Sequence, residues 1–253
     1  MFYWLFEVWR DLPDDIKAHL SPLRVFNYIT VRAFCGAGTA FLISVLLGPW
    51  VIRQLVRFKA RQYVRKQDGP DHGHKEGTPT MGGLLIVGAI LVSTLLWAAP
   101  GNIYIDLVLK TLCFMAAVGF WDDYAKVVKR ESKGLTAGRK LVLELVWAAT
   151  VFVVLVILPE TKENTLKFMV PFYKYPVATG ALGLGVGLVL TVLTIVGSSN
   201  AVNLTDGLDG LAIGCTVIVA LVFGILTYVA GNVKAATYLQ VPYVSGAGEL
   251  TVF

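Results

Sequence analysis

Long uncharged runs alternate with short polar segments along this chain, and the alternation predicts membrane-spanning helices. Residues 33–52 form an uncharged run of twenty, long enough to cross about 30 Å of hydrocarbon as an α-helix. The predicted spans are about 33–52, 81–98, 103–121, 141–158, 176–199 and 211–230, and an apolar run begins again at 250–253. We therefore predict an all-α polytopic membrane protein, a single transmembrane domain over 1–253 with about six complete spans and the start of a seventh.

Composition and charge support this class. The 253 residues are 56% apolar and only 15% charged, whereas soluble proteins carry about 25% charged residues. Thirteen of the 22 Lys and Arg residues lie in 53–75 and 126–140, so the positive-inside rule makes these loops cytoplasmic. The predicted cytoplasmic loops are about 53–80, 121–140 and 199–210, with the N-terminus on the periplasmic side. This concentration explains the net charge of +5 and excludes nucleic acid as the expected partner.

The cysteines and histidines give weaker signals. Cys35, Cys113 and Cys215 all lie in apolar spans without a CxxC pair, so we expect small core residues rather than disulfides or metal ligands. His72 and His74 lie two residues apart in a basic loop, where solvated side chains are the simpler interpretation.

The segment GSSNAVNLTDGLDG at 197–210 separates two apolar runs. It carries Asn200, Asn203, Asp206 and Asp209, spaced three apart. Such polar groups cost several kcal/mol in hydrocarbon, so they belong at a membrane boundary or in a cavity and indicate a functional site. Because all four cannot share one face of a regular α-helix, we predict a helix end, a short loop holding the two aspartates, and a new helix.

A second polar cluster, Asp122-Asp123, follows the third predicted span. A helix C-terminus is partly negative, so two carboxylates there require a divalent cation or nearby lysines such as Lys126 and Lys133. Adjacent residues point about 100° apart, which favours one metal ligand and one base or orienting group. A solvated helix end is the alternative.

A third motif, KEGTPTMGG at 75–83, opens the second span. Thr80 is placed to cap the helix, and the helix start together with Lys75 suits a phosphate group. A simple helix cap is the alternative. Carboxylates suited to Mg²⁺ beside groups suited to phosphate favour nucleotide phosphoryl chemistry at the membrane surface.

The motifs KEGTPTMGG, FWDDYAK (120–126) and NAVNLTDGLDGLA (200–212) closely resemble those of the phospho-N-acetylmuramoyl-pentapeptide-transferase family, part of the polyprenyl-phosphate N-acetylhexosamine-1-phosphate transferase superfamily. The resemblance implies a bacterial cytoplasmic-membrane enzyme with its active site on the cytoplasmic face. Such an enzyme transfers phospho-MurNAc-pentapeptide from UDP-MurNAc-pentapeptide to undecaprenyl phosphate, giving lipid I and UMP, and requires Mg²⁺. It is compatible with a membrane homodimer.

The resemblance also implies roles for individual residues. Both aspartates would be candidate metal ligands, with Asp122 acting as the base on the lipid phosphate and Asp123 helping to hold the metal or the diphosphate. The nucleotide–diphosphate cleft would be lined by Lys75, Thr80, Asn200, Asn203 and Asp206. The uracil-contacting turn would be Gly207, Leu208 and Asp209, and Lys126 and Lys133 would lie near the phosphates.

Departures from the family pattern limit these expectations. The family has about ten spans, and its third catalytic aspartate, the main metal ligand, would lie beyond residue 253 together with a histidine-rich loop. We therefore expect a truncated chain that is inactive alone. Two alternatives remain: a transferase that uses UDP-GlcNAc as the donor, and a cation-coupled transporter with the aspartates as an ion path. The absence of an internal repeat disfavours the transporter.

Overall fold

A computed structural model describes residues 2–57, 81–129, 134–170, 173, 175–205 and 210–253. Within these ranges helices account for most of the chain, and the strand-type pairing is confined to a single antiparallel bridge between Phe168 and Ala178. The prediction of an all-α fold is confirmed.

The described residues form eleven α-helices, whose bounds in chain order are as follows. They are α1 Phe2–Asp11, α2 Asp14–His19, α3 Ile29–Arg57, α4 Gly83–Trp97, α5 Ile103–Lys129, α6 Ala137–Ile157, α7 Pro159–Thr165, α8 Gly180–Val192, α9 Ser198–Thr205, α10 Leu211–Ala230 and α11 Val233–Leu239. A 3₁₀ turn, Ser21–Asn27, precedes α3, a π-helical segment, Leu193–Gly197, joins α8 to α9, and a 3₁₀ segment, Ala247–Val252, follows α11.

Five helical segments in the described part of the chain are long and apolar enough to cross a membrane. They are α3, most of α5, α6, the continuous run from α8 to α9, and α10. Helix α4 is also apolar but has 15 residues, about 22 Å at 1.5 Å per residue, which is shorter than the hydrocarbon layer. The polytopic class is confirmed, with five long spans and one shorter apolar helix where about six spans were predicted.

The chain divides into two compact units, and the first comprises the described residues of 1–101, 108–140 and 252–253. In this unit α3 packs on α4, and the N-terminal helix α1 is attached through Arg32, which is 1% exposed. The Arg32 guanidinium donates from Nη1 to the Trp97 carbonyl oxygen at 3.2 Å and lies 4.8 Å from the ring centre of Tyr3. Phe2 stacks on Trp97 with ring centres 4.3 Å apart. A cation at the C-terminus of α4 is electrostatically favourable there.

The second unit comprises the described residues of 102–107 and 141–251. Two glycines of α8 allow close packing, because a Cβ on Gly183 would overlap the Leu166 carbonyl group and one on Gly187 would lie 3.3 Å from the Phe152 ring. Asn102 caps α5, since its Oδ1 accepts from the Tyr104 amide at 2.9 Å while its Nδ2 donates to the Gly246 carbonyl oxygen at 2.9 Å. These contacts order the helix ends of the unit.

The prediction that the three cysteines are small core residues is wrong. Cys35 is half-buried, and Cys113 and Cys215 are exposed on the surfaces of α5 and α10. All three are free thiols. These helices are apolar enough to face lipid, so a small apolar side chain is as acceptable on their outer surface as in a core.

Candidate functional site

Asp122 and Asp123 lie inside α5 rather than at its end. The third span was predicted to finish at 121, but α5 continues to Lys129, two turns further. The prediction of carboxylates at a helix C-terminus is therefore wrong. The prediction located only the apolar part of the helix, whose length the thickness of the membrane limits. The helix itself continues through more polar sequence to Lys129.

Lys126 compensates the two carboxylates. Its Nζ lies 2.6 Å from Asp122 Oδ2 and 3.2 Å from Asp123 Oδ1, which are i,i+4 and i,i+3 pairs on one helix. The three side chains remain 25–38% exposed, so they face an accessible surface. We call these three residues the carboxylate–lysine cluster. Two carboxylates and one ammonium leave it with one net negative charge.

A neighbouring segment fixes the first carboxylate. The Leu135 amide donates to Asp122 Oδ1 at 2.6 Å, a short hydrogen bond to a charged acceptor. Gly134 passes so close that any Cβ at this position would overlap the Asp122 carboxyl group. Among the described residues, Asp123 Oδ2 has no hydrogen-bond partner. The described residues therefore hold Asp122 on both oxygens and leave one oxygen of Asp123 open.

The carboxylate oxygens of this cluster supply part of the ligand set that a hard divalent cation requires. The described residues contain no group of three or more His, Cys, Asp or Glu side chains arranged to hold a metal ion. Mg²⁺, however, is usually held by one or two carboxylates, with water and substrate phosphates completing six oxygen ligands. Two adjacent carboxylates with residual negative charge fit that incomplete set.

Asn200 and Asn203 lie on the short helix α9 in the second unit. Asn200 is half-buried, and its Nδ2 donates to Glu144 Oε2 at 2.6 Å and to the Val196 carbonyl oxygen at 2.9 Å. Asn203 is exposed, one turn further along. Helix α9 ends at Thr205, and α10 begins after Gly210, which has a left-handed φ of 81°. A helix end and a new helix were predicted at this segment.

The remaining predicted site residues lie outside the described residues. They are Lys75, Thr80, Lys133, Asp206, Gly207, Leu208 and Asp209. Their assignments stay predictions.

Sequence reasoning did not include Glu144 in the site. This carboxylate on α6 is fully buried at 0% exposure and accepts from the Ser199 hydroxyl at 2.8 Å as well as from Asn200. One signal was available, because a glutamate near the start of an apolar span must find partners. Its partners, more than fifty residues away in sequence, were not predictable from spacing.

The fold and the carboxylate–lysine cluster define a polytopic helical membrane protein with a polar cluster in the C-terminal part of one of its long apolar helices, α5. A family model described as "Glycosyl transferase family 4" matches residues 105–248, and a model described as "Phospho-N-acetylmuramoyl-pentapeptide-transferase signature 1" matches residues 75–87. The first match covers more than half of the chain, so the chain belongs to glycosyl transferase family 4.

Individual relatives give a closer likeness, and each of the following carries the name phospho-N-acetylmuramoyl-pentapeptide-transferase. The chain is 46% identical over 238 residues to one from Solidesulfovibrio magneticus, covering 94% of this chain and 64% of the relative. It is 47% identical to one from Desulfosudis oleivorans, with 94% and 65% coverage, and 42% identical to one from Methylacidiphilum infernorum, with 94% and 66% coverage. The resemblance drawn from the motifs is confirmed. The chain spans slightly less than two thirds of the length of these relatives.

Proposed function

We propose that this chain belongs to an enzyme of peptidoglycan synthesis in the bacterial cytoplasmic membrane. The enzyme transfers phospho-MurNAc-pentapeptide from UDP-MurNAc-pentapeptide to undecaprenyl phosphate. An oxygen of the lipid phosphate attacks the phosphorus that bears the sugar, and the bond from that phosphorus to the bridging oxygen breaks. UMP leaves with the bridging oxygen, and the new diphosphate is lipid I.

The carboxylate–lysine cluster is the observation that carries this proposal. Its half-exposed carboxylates sit where an apolar helix becomes polar, which suits a reaction between a lipid and a water-soluble nucleotide. Because the cluster retains one net negative charge, it repels phosphate unless a cation is added. Mg²⁺, when bound, would neutralise that charge and polarise the diphosphate. Asp123 would hold it through the oxygen that Lys126 leaves open.

The lipid phosphate needs little help from a base. A phosphate monoester has a second pKa near 6, so it is largely dianionic at pH 7 and is already a nucleophile. Asp122 accepts a hydrogen bond from the Leu135 amide and pairs with the Lys126 ammonium. It would take up the proton of any lipid phosphate that is still monoanionic, and it would keep Lys126 directed at the phosphates. Catalysis would then rest mainly on positioning and charge neutralisation, as in other phosphoryl transfers.

The test is release of UMP by the full-length protein in detergent, with both substrates, with and without Mg²⁺. We expect metal-dependent release. Asp122→Ala and Asp123→Ala should each lower kcat on the order of 100-fold, the scale for losing one preorganised electrostatic group. Asp106→Asn, an exposed carboxylate at the opposite end of α5, is the matched control and should keep full activity.

Other outcomes would change the proposal in defined ways. Release with UDP-GlcNAc but not with UDP-MurNAc-pentapeptide would keep the reaction and change the donor. Release by both aspartate variants at the wild-type rate would remove the carboxylate–lysine cluster from the site. No release of UMP with either donor would refute the transferase proposal and favour the cation-coupled transporter instead.

A further inference from the structure

Among the described residues of the second unit, Glu144 is the most completely buried charged side chain, and its two oxygens have separate partners. The Ser199 hydroxyl donates to Oε1 at 2.8 Å, and the Asn200 amide donates to Oε2 at 2.6 Å. Glu144 lies in the apolar helix α6 at 0% exposure. A carboxylate in such a place is costly unless it is hydrogen-bonded, so the sequence retains it for a reason other than burial of apolar surface.

The contacts of Asn200 determine which way its carboxamide points. Nδ2 donates one hydrogen to Glu144 Oε2 and the other to the Val196 carbonyl oxygen at 2.9 Å. Both partners are acceptors, so the NH₂ group must face them and the amide oxygen must face the other way. Among the described residues, Asn200 Oδ1 has no hydrogen-bond partner. The described residues thus leave Oδ1 of Asn200 as a fixed acceptor atom on α9.

The local helix geometry supports this arrangement. The Val196 carbonyl belongs to the π-helical segment Leu193–Gly197, which immediately precedes the residues that contact Glu144. Short π-helical segments inside α-helices often occur at functional sites. Here the wider turn precedes a pair of adjacent side chains that reach the two oxygens of a single carboxylate.

We propose that Glu144 is a positioning residue that holds the Asn200 carboxamide with its oxygen toward the donor substrate, an inference that rests on the proposed function. An amide oxygen repels phosphate oxygens, so its partner on the donor substrate is a hydroxyl or N–H group of the nucleotide or the sugar. Asn200 therefore helps to select the donor substrate rather than to bind its diphosphate.

The first experiment compares Glu144→Met, which has similar volume and no comparable acceptor, with Glu144→Gln, which keeps one acceptor oxygen. In the full-length protein, Glu144→Met should raise KM for UDP-MurNAc-pentapeptide about tenfold, the scale of a lost hydrogen bond, and leave KM for undecaprenyl phosphate unchanged. Asn200→Ala should have the same effect, and the double variant should be no worse than Asn200→Ala alone. Glu144→Gln should stay within about threefold of wild type. Thr150→Val removes an exposed hydroxyl from the same helix and should change nothing.

A second experiment applies if Glu144→Met does not accumulate in the membrane. Ser199→Ala alone should leave KM for UDP-MurNAc-pentapeptide nearly unchanged, because either oxygen of Glu144 can accept from Asn200. In Glu144→Gln the Ser199 hydroxyl accepts from the new NH₂ group and so turns the glutamine oxygen toward Asn200. Removing that hydroxyl leaves the buried glutamine NH₂ group without this partner, so the side chain turns away from Asn200, and Glu144→Gln with Ser199→Ala should raise KM for the donor about tenfold although each single change does little.

The outcomes separate this inference from the proposed function. If the wild-type protein releases no UMP, both fail. Suppose that wild type is active. The positioning role alone is refuted if Glu144→Met keeps its normal KM for the donor, or if the factor by which it raises KM multiplies with that of Asn200→Ala in the double variant. A simple product of the two single effects in the Ser199 experiment refutes it as well, and a change confined to the Mg²⁺ requirement shows that the Asn200 oxygen binds metal instead of substrate.

Discussion

Replacing Gly134 with alanine should disable Asp122 without altering any apolar span. A Cβ at Gly134 would lie 2.8 Å from the main-chain oxygen of Asp122 and closer still to its carboxylate. Ordinary contact begins near 3.4 Å, so the main chains would have to separate by about 0.6 Å. Turning the carboxylate aside relieves only part of the overlap, because the main-chain oxygen is fixed in α5. The Leu135 amide would then lose its acceptor.

The magnitude follows from that hydrogen bond. A hydrogen bond to a charged group contributes about 1.5–3 kcal/mol, and each 1.4 kcal/mol in a barrier is a factor of about ten in rate. If the reaction needs Asp122 in its observed place, Gly134→Ala should lower kcat/KM roughly 10- to 100-fold. The assay is the initial rate of UMP release, divided by the amount of protein that elutes as a single species in detergent.

Two controls identify the cause. Gly138→Ala, four residues away, meets no heavy atom within 4 Å and should keep its activity. Asp122→Ala combined with Gly134→Ala should be at most about threefold slower than Asp122→Ala alone, since the carboxylate is then absent and only the overlap with the Asp122 main-chain oxygen remains. Activity of Gly134→Ala within threefold of wild type would refute the view that Leu135 holds Asp122 in a catalytically required position.

Two further predictions concern the scaffold. Gly231→Ala would place a Cβ on the main chain of the 3₁₀ segment Ala247–Val252, so overpacking of about 2 kcal/mol should lower Tm by roughly 4–8 °C, whereas Gly214→Ala meets open space and should not. Arg32→Met should expose the segment before α3 to limited proteolysis, because it removes the buried hydrogen bond to the Trp97 carbonyl and the contact with the N-terminal helix. Arg10→Ala, which breaks only an exposed ion pair, is its control, and equal cleavage of both variants would contradict the role of Arg32.

Much of the fold is predictable because lipid leaves an uncharged run of about twenty residues few alternatives to a helix. The run 211–230 and helix α10 have the same bounds. Other boundaries differ because hydropathy locates the part of a helix in lipid and not its polar continuation. Helix α5 illustrates this, since Asp122, Asp123 and Lys126 of the candidate site lie on it beyond the predicted span 103–121. Helix α4 differs in the opposite sense, with 15 residues where 81–98 was predicted.

The candidate site is predictable in its residue types but not in its contacts. Two adjacent aspartates followed by a lysine at i,i+4 and i,i+3 indicate an ion-pair cluster on one helix face, and the structure contains that cluster. The contact of the Leu135 amide with Asp122 could not be anticipated, because the two residues lie 13 positions apart, beyond the spacing at which side chains of one helix meet. Nor could the pairing of Glu144 with Asn200, which depends on the packing of two helices distant in sequence.

The two sets of carboxylates differ in a way that separates chemistry from positioning. Asp122 and Asp123 are 25% and 36% exposed, and one oxygen of Asp123 is open among the described residues, so a cation or a phosphate can approach them. Glu144 has no exposed surface, and both of its oxygens are already engaged by Ser199 and Asn200. A group that exchanges partners during a reaction must be accessible, whereas a group that fixes the orientation of another must not be displaced by water. The accessible pair therefore meets the requirement for the proposed action on substrate, through the open oxygen of Asp123 and after Asp122 exchanges one of its two partners, whereas Glu144 meets the requirement for holding a neighbour in place.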